Sequence, residues 1–305
     1  MRLAPRVFRS SRWRKAGLQS RFDARPLMEE IEKVVRERTL DTPDLLTRLG
    51  VVTKWLDTAS PWVITNSPAA PFWEDPPDGA YIGNRRYKLK ALIRASTAAP
   101  YFFAPQLIEV LTRRRPGLFV DGGVSPYNTP AMLLAMVATS TGHGFGWPLG
   151  AERLSLVSVG TGRSRDRIGP DAPRRMLPAS LALRALRGLI TDGQTHALAM
   201  CQWLGECDAP WPIDARPGVP AGPRPTPLFR FQRFDVELEQ DWLARKLNMR
   251  IASAEERSLR RMDDPAIIPL AYRIGCVAAE RQMIVSPLPD LPAASVDAQS
   301  PERIG

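Results

Sequence analysis

The sequence predicts an α/β fold with a mostly parallel sheet. Short apolar and β-branched stretches of strand length alternate with longer stretches of helical periodicity along the chain. Two of the strand candidates, at 117–120 and within 153–162, are apolar and are followed by glycine-containing turns. The 305 residues, 44% of them hydrophobic, are enough for one large α/β domain or two small ones, with a substantial core.

The first elements are a helix and a pair of strands. The helix is predicted over 23–38, where Pro26 is tolerated in the first turn and the apolar positions fall on one face. The stretches 51–57 and 61–66 are short and partly β-branched, which is typical of strands. The turn 58–61 between them makes the two strands neighbours.

The middle of the chain predicts a helix in the first part of 87–100, a strand at 117–120 and a helix over 126–141. Asn128 is the expected cap of that last helix, with Pro130 in its first turn.

The second half alternates in the same way. The expected elements are a strand within 153–162, two helices within 177–206 separated near 192–193, a strand with one exposed face at 229–238, and helices over 239–283.

Three regions are expected: a basic, disordered arm at 1–22, a domain at 23–285 and a flexible tail at 286–305. The arm carries seven of the ten net positive charges and has no acidic residue, so the rest of the chain is only mildly basic. No zinc-finger spacing, RNA-binding signature or heptad array supports a nucleic-acid partner. An anionic membrane surface is the better partner for such an arm.

The cysteine and histidine content predicts neither a metal site nor a cofactor. Three widely spaced cysteines and two histidines offer no disulfide framework and no familiar ligand spacing. No apolar stretch approaches the roughly 18 residues of a membrane-spanning helix, and the N-terminus lacks a secretory apolar core. We therefore expect a cytoplasmic protein, with peripheral membrane binding as the alternative.

The stretch "ATSTGHG" (138–144) is one residue away from the G-x-S-x-G turn that presents a catalytic serine. Such a turn needs a strand before the serine and a helix after it. Ser140 follows a predicted helix and precedes a Gly-rich loop, so we interpret it as a helix end with Gly142 as the cap. His143 is interpreted as a solvated loop residue.

Asp121 in "LFVDGGV" is a stronger candidate for chemistry. It ends a predicted buried strand, which is where open α/β sheets bind their ligands. Gly122 and Gly123 would let another loop approach the carboxylate closely. This placement suits a general base that takes a proton from a nucleophile, although Asp-Gly is also a common turn.

Five stretches in sequence order together resemble the patatin-like phospholipase family, from about Asp23 to about Met283. They are "RASTAAPYFFAP" (94–105), "FVDGGVSPYNTPAMLLA" (119–135), "LVSVGTG" (156–162), "FDVEL" (234–238) and "RMDDPAIIPL" (261–270).

The resemblance implies a three-layer α/β/α fold with a mainly parallel central sheet. It also implies a serine–aspartate dyad that hydrolyses acyl lipids and phospholipids, with Asp121 as the general base and Gly122 and Gly123 completing its motif. In the family, the serine sits in a G-x-S-x-G turn and a G-G-G-x-R-G loop forms the oxyanion hole.

Neither of those two motifs occurs in these 305 residues. In the family both precede the region that matches here, so Ser140 cannot take the place of the nucleophile. We therefore expect an incomplete patatin-like domain that lacks N-terminal strands and is inactive by itself, with a missing N-terminal fragment as a partner. The alternatives are a non-catalytic protein that binds lipid or a partner, and an enzyme that recruits Ser96, Ser125 or Ser140.

Overall fold

The computed structural model describes residues 7–8, 20–112, 114–164, 178–213, 226–261 and 264–285. Helices and strands are mixed along the chain, which confirms the predicted α/β class. The helices are α1 (Arg25–Val35), α2 (Leu89–Ser96), α3 (Ala131–Thr139), α4 (Pro178–Leu204), α5 (Gln240–Leu247), α6 (Ser253–Leu259) and α7 (Ile268–Val285). The strands are β1 (Gly50–Trp55), β2 (Ser60–Thr65), β3 (Gln106–Ile108), β4 (Gly117–Asp121), β5 (Ser155–Val159) and β6 (Arg230–Phe234).

The larger sheet has four strands in the order β2-β1-β4-β3, and every neighbouring pair is antiparallel. The expectation of a mainly parallel sheet therefore does not hold here. The reason lies in the connections, since β1 and β2 are joined by a tight turn in which Ala59 adopts a positive φ of 55°. A connection this short forms a hairpin, whereas parallel neighbours need a crossover of about a dozen residues or more.

The second sheet is a parallel pair, β5 and β6, in which Val157 lies opposite Gln232. The crossover between the two strands contains α4. The predicted parallel arrangement is thus confirmed for this pair. The exposed face predicted for 229–238 is wrong, because no residue of β6 is exposed.

The core of the larger sheet is aromatic. Phe119 is completely buried, and its ring centroid lies 4.7 Å from that of Trp62 and 5.5 Å from that of Trp55. Helix α2 covers this face and contributes Leu92, which is also fully buried. Phe119 lies two residues before Asp121, so this core packs against β4 close to its end.

Two further clusters hold the second half together. One joins α3 and α4 to the parallel pair around Cys201, which is fully buried. The other joins α5 to α7 around Leu243 and Ile274. Burial raises the pKa of the Cys201 thiol to about 12, so this thiol stays protonated and packs as an apolar group.

Helix α4 is continuous, so the predicted break near 192–193 is wrong. A Cβ built on Gly193 would lie 3.2 Å from the Cα of Pro126. Gly193 therefore lets the helix approach the backbone at Pro126 closely, instead of ending it. A glycine within a helical stretch is compatible with a helix break and with a close contact, so the sequence alone does not distinguish the two.

The described part of the N-terminal arm is packed against the domain. Phe22 is 1% exposed, and its backbone N–H donates to the carbonyl of Phe102. Val7 is buried, and the ring of Phe8 meets that of Phe22 edge to face at 5.2 Å. The rest of the predicted arm up to residue 19 and the predicted tail at 286–305 lie outside the described residues.

Among the described helices, none combines the length and the apolar character that crossing a lipid bilayer requires.

Replacing Phe119 with alanine should lower the free energy of unfolding by about 3–5 kcal/mol, because the ring is fully buried among aromatic neighbours. Urea unfolding followed by tryptophan fluorescence measures this change. Leu46 is 94% exposed, so Leu46→Ala should change the same quantity by less than about 0.5 kcal/mol. Equal effects of the two substitutions would contradict this account of the core.

Candidate active site

Asp121 is the last residue of β4, a strand that lies between β1 and β3 in the larger sheet. Its partner on β1 is Thr53, which is completely buried. The Thr53 hydroxyl donates to the carbonyl of Val120 over 2.6 Å. The end of β4 is therefore held to β1 by a side chain as well as by the strand pairing.

The turn that follows orients the Asp121 carboxylate. Residues Gly122–Val124 form a short 3-10 helix, and the backbone N–H of Gly123 donates to Oδ1 of Asp121 over 2.7 Å. On the other side, the backbone N–H of Asp121 donates to the carbonyl of Ala98 over 3.1 Å. The residue is thus held through its backbone and through one carboxylate oxygen.

Both glycines lie where a side chain would collide with the protein. A Cβ on Gly122 would lie 2.6 Å from the carbonyl oxygen of Val52, and a Cβ on Gly123 would lie 2.8 Å from Oδ1 of Asn128. The two glycines therefore allow the close contacts that the sequence predicted. Gly122 lies against β1, and Gly123 lies against Asn128. Asn128 serves this contact and is not the cap of α3, because α3 begins three residues later, after Pro130.

Burial raises the pKa of Asp121, and the hydrogen bond from Gly123 opposes this shift. Within the described residues, Gly123 is the one group that donates to the carboxylate. A half-buried carboxylate with a raised pKa and an unused oxygen can accept a proton from an incoming hydroxyl group.

Two of the candidate serines donate their hydroxyl protons to backbone carbonyls instead of to the Asp121 carboxylate. The hydroxyl of Ser96 donates to the carbonyl of Val52 over 2.8 Å, and that of Ser125 donates to the carbonyl of Gly122 over 2.6 Å. Each proton is used to fix the backbone around the turn. Ser96 and Ser125 are therefore part of the scaffold that positions Asp121.

Ser140 directly follows the end of α3, as expected, but Gly142 is not the cap. The chain is extended at Ser140, and the left-handed conformation falls at Gly144, with φ of 72°. A Cβ on Gly144 would lie 2.3 Å from that of Ala69, so packing as well as backbone conformation requires glycine there. Tertiary contact with Ala69 thus decides which glycine takes this conformation.

His143 is half-buried rather than solvated. Its Nδ1 atom is buried and has no hydrogen-bond partner among the described residues. No hydrogen bond joins it to Ser140 or Asp121 in that part of the chain, so the histidine does not complete a catalytic group there.

Arg94 is a residue next to the site that the sequence reasoning did not single out. Its side chain is 1% exposed, donates from Nη2 to the carbonyl of Ala104 over 2.8 Å, and stacks over the ring of Phe103. Burial lowers the pKa of the guanidinium, and Nε and Nη1 have no partner within the described residues. Arg94 thereby fixes the loop that contains Ala98, whose carbonyl holds the backbone of Asp121.

The family model for patatin-like phospholipases matches residues 2–135. Residues 2–135, called the patatin-like segment below, are therefore similar to patatin-like phospholipases. The matched segment contains the larger sheet, Arg94 and the Asp121 turn, and it ends within α3. Three of the stretches on which the sequence resemblance was based, from "LVSVGTG" onward, lie beyond the patatin-like match. No curated protein matches this chain.

Gly122→Ala in the patatin-like segment should lower the free energy of unfolding by roughly 1–3 kcal/mol, because the new methyl group would collide with the backbone carbonyl of Val52. The matched control is Gly188→Ala in α4, where a Cβ meets nothing within 4 Å. The control should stabilise the protein by about 0.5–1 kcal/mol. Chemical denaturation of both variants measures the difference, and a Gly122→Ala protein as stable as the control would rule out the close contact.

Asp121→Asn should raise the melting temperature at pH 7. Because the pKa of Asp121 is raised in the folded protein, its ionised form is disfavoured there, and wild-type stability falls as the pH rises above about 4. Asparagine keeps the acceptor for Gly123 and removes this cost. Thermal unfolding between pH 3 and pH 7 should show the gain shrinking to nothing as the pH falls.

Asp57 is the matched control for that experiment. It accepts hydrogen bonds from the backbone N–H of Leu118 and from Trp55, and these bonds lower its pKa. Its ionised form is favoured in the folded state, so Asp57→Asn should lower the melting temperature at pH 7 and have less effect in acid. The same sign for both aspartates would contradict the difference in their environments.

Proposed function

We propose that this chain supplies the general base, Asp121, of a serine–aspartate site that hydrolyses acyl lipids or phospholipids. The support is the patatin-like segment together with the placement of Asp121, a half-buried carboxylate at a strand end with one oxygen held by Gly123. In this proposal, Gly122 and Gly123 shape the turn, and Arg94 fixes the loop behind it.

The chemistry requires a serine that these 305 residues do not present in a G-x-S-x-G turn. The serine oxygen would attack the acyl carbonyl carbon, and Asp121 would accept the hydroxyl proton. The bond between the acyl carbon and the alcohol oxygen would then break, the alcohol would leave with the proton from Asp121, and the acyl–serine ester would remain. In the second step Asp121 would accept a proton from water, the water oxygen would attack the same carbon, and the acyl–serine bond would break as the serine takes back the proton and the fatty acid leaves. The raised pKa of Asp121 brings its proton affinity closer to what this transfer needs.

By itself the chain should not hydrolyse acyl esters. Ser96 and Ser125 donate to backbone carbonyls, and neither reaches Asp121. Loss of the nucleophile costs roughly 10⁶ in rate in an unrelated serine protease, and loss of a single oxyanion donor costs about 10²–10³. We therefore propose that the nucleophile comes from a polypeptide outside these 305 residues.

A second candidate function is binding without catalysis. The observation that favours it is that no hydroxyl group donates to Asp121 among the described residues. The seven positive charges of residues 1–22 would then bring the protein to an anionic membrane surface, where each basic residue contributes about 1 kcal/mol.

The purified chain should show neither labelling by a fluorophosphonate probe nor hydrolysis of a short-chain p-nitrophenyl ester. Mass spectrometry and absorbance measure the two quantities. Labelling of Ser96, Ser125 or Ser140 would show that one of these serines is activated, and the proposal that the nucleophile is external would then be wrong.

The role of Asp121 is tested by complementation. We would co-express the chain with a polypeptide that carries the G-G-G-x-R-G loop and the G-x-S-x-G turn, and assay phospholipid vesicles for fatty acid release. Activity should appear with the wild-type chain and with Ser140→Ala, and should fall at least 10³-fold, a scale typical of catalytic groups, with Asp121→Asn. Retained activity in Asp121→Asn would remove Asp121 from the mechanism. Binding of the chain to anionic vesicles without any complemented activity would favour the second candidate.

A further inference from the structure

The hydrogen bonds between β5 and β6 show which residues of β5 face its neighbour. The carbonyl of Leu154 accepts from the backbone N–H of Arg230, and the backbone N–H of Gly160 donates to the carbonyl of Phe234. Backbone groups of successive strand residues point to opposite edges of the strand. The even-numbered residues of β5 therefore face β6, and the odd-numbered residues face the other edge of the strand.

This outer edge of β5 is unpaired within the described residues. The residues that face it are Ser155, Val157 and Val159, and no described residue pairs with their backbone groups there. Their side chains share one face of the strand, where Val157 is 40% exposed and Val159 is 75% exposed. The edge thus combines free backbone donors and acceptors with exposed apolar side chains.

The other described sheet edges are protected against further pairing. β2 carries Pro61, which has no backbone N–H, and β3 has only three residues. On the outer edge of β6, the backbone N–H of Phe231 donates to the carbonyl of Glu206. β5 has five residues, and none of them is a proline or carries a charge. An edge of this kind readily pairs with a strand from another molecule.

A second copy of β5 matches the free groups of this edge. In a two-fold, antiparallel arrangement centred on Val157, that residue lies opposite its own copy, and Ser155 lies opposite the copy of Val159. Residues opposed in this way exchange both of their backbone hydrogen bonds, so all three edge-facing residues become paired. Because β5 has no charged side chain, the paired strands bring no like charges together.

We propose that the outer edge of β5 is a self-association surface, on which a second copy of this chain pairs its own β5 antiparallel about Val157. The two parallel pairs then form one sheet in the order β6-β5-β5-β6. A sheet of only two strands is weakly stable by itself, and the dimer doubles the number of strands. The inference does not depend on the proposed role of Asp121, because that residue lies in the other sheet.

The first test is sedimentation equilibrium of the full 305-residue chain over about a hundredfold range of concentration. The mass should rise with concentration toward twice the chain mass of 33.9 kDa. Val157→Lys should weaken dimerisation at least about tenfold, because two lysines would face each other and the apolar contact would be lost. The matched control is Leu107→Lys on β3, which is 56% exposed at the edge of the other sheet and should change dimerisation by less than about twofold.

The second test reads the register by disulfide cross-linking. All proteins carry Cys276→Ser, because Cys276 is exposed, and the protein with this change alone gives the background. Val157→Cys should cross-link to its own copy, since the opposed Cα atoms would lie about 5.5 Å apart, a distance that a disulfide spans. Val159→Cys should not exceed the background, because its two copies would be offset by roughly 13 Å along the strands. Random collision would give the opposite order, since Val159 is the more exposed of the two.

A monomer at every concentration would overturn the proposal. A dimer that Val157→Lys leaves intact would also overturn it, as would faster cross-linking at position 159 than at position 157. If circular dichroism shows that Val157→Lys does not fold, the cross-linking comparison decides, because cysteine is small and apolar. Neither test involves ester hydrolysis, so failure here is distinct from failure of the proposed catalytic role.

Discussion

The backbone carbonyl of Val52 is the point on which the geometry around Asp121 depends. Ser96, at the end of α2, donates its hydroxyl to this oxygen, and Gly122 approaches it so closely that a Cβ would lie 2.6 Å away. Three segments that are distant in sequence thus meet at one atom of β1. A side chain at Gly122 would push the turn away from β1 and displace the carboxylate of the residue before it.

Burial of the Arg94 guanidinium is an unfavourable feature of the structure around Asp121. A guanidinium that is 1% exposed and leaves two nitrogens unpaired among the described residues is unfavourable, because desolvation of a cation needs compensation. Its compensation is the hydrogen bond to Ala104 and the stacking on Phe103. Both interactions fix the loop that contains Ala98, whose carbonyl accepts a hydrogen bond from the backbone N–H of Asp121. Arg94 therefore supports the loop next to Asp121, and β1 supports the turn that follows Asp121.

An apolar cleft between the ends of β5 and β6 and helix α7 has a different physical origin. It forms where α7 stands beside the ends of only two parallel strands, and the polar groups in its floor are bonded to one another. Parallel strands are normally covered on both faces, so an exposed Val159 at the end of β5 marks an incompletely covered sheet. The Asp121 turn and the cleft therefore belong to different sheets and present different chemistry, a carboxylate in one and hydrocarbon surface in the other.

The sequence by itself determined many of the local elements and the family resemblance, and it singled out Asp121 as the candidate site residue. The strands at 51–57 and 61–66, the helix in the first part of 87–100 and the strand at 117–120 follow from periodicity and turn residues, which act over a few positions. Only the tertiary structure decided that the larger sheet is antiparallel, that α4 continues through Gly193 and that the left-handed glycine is Gly144. Contacts with Pro126 and Ala69 settle the last two, and strand pairing settles the first. Glycine permits a break, a close approach or a positive φ equally well, so the segment that packs against it selects among them.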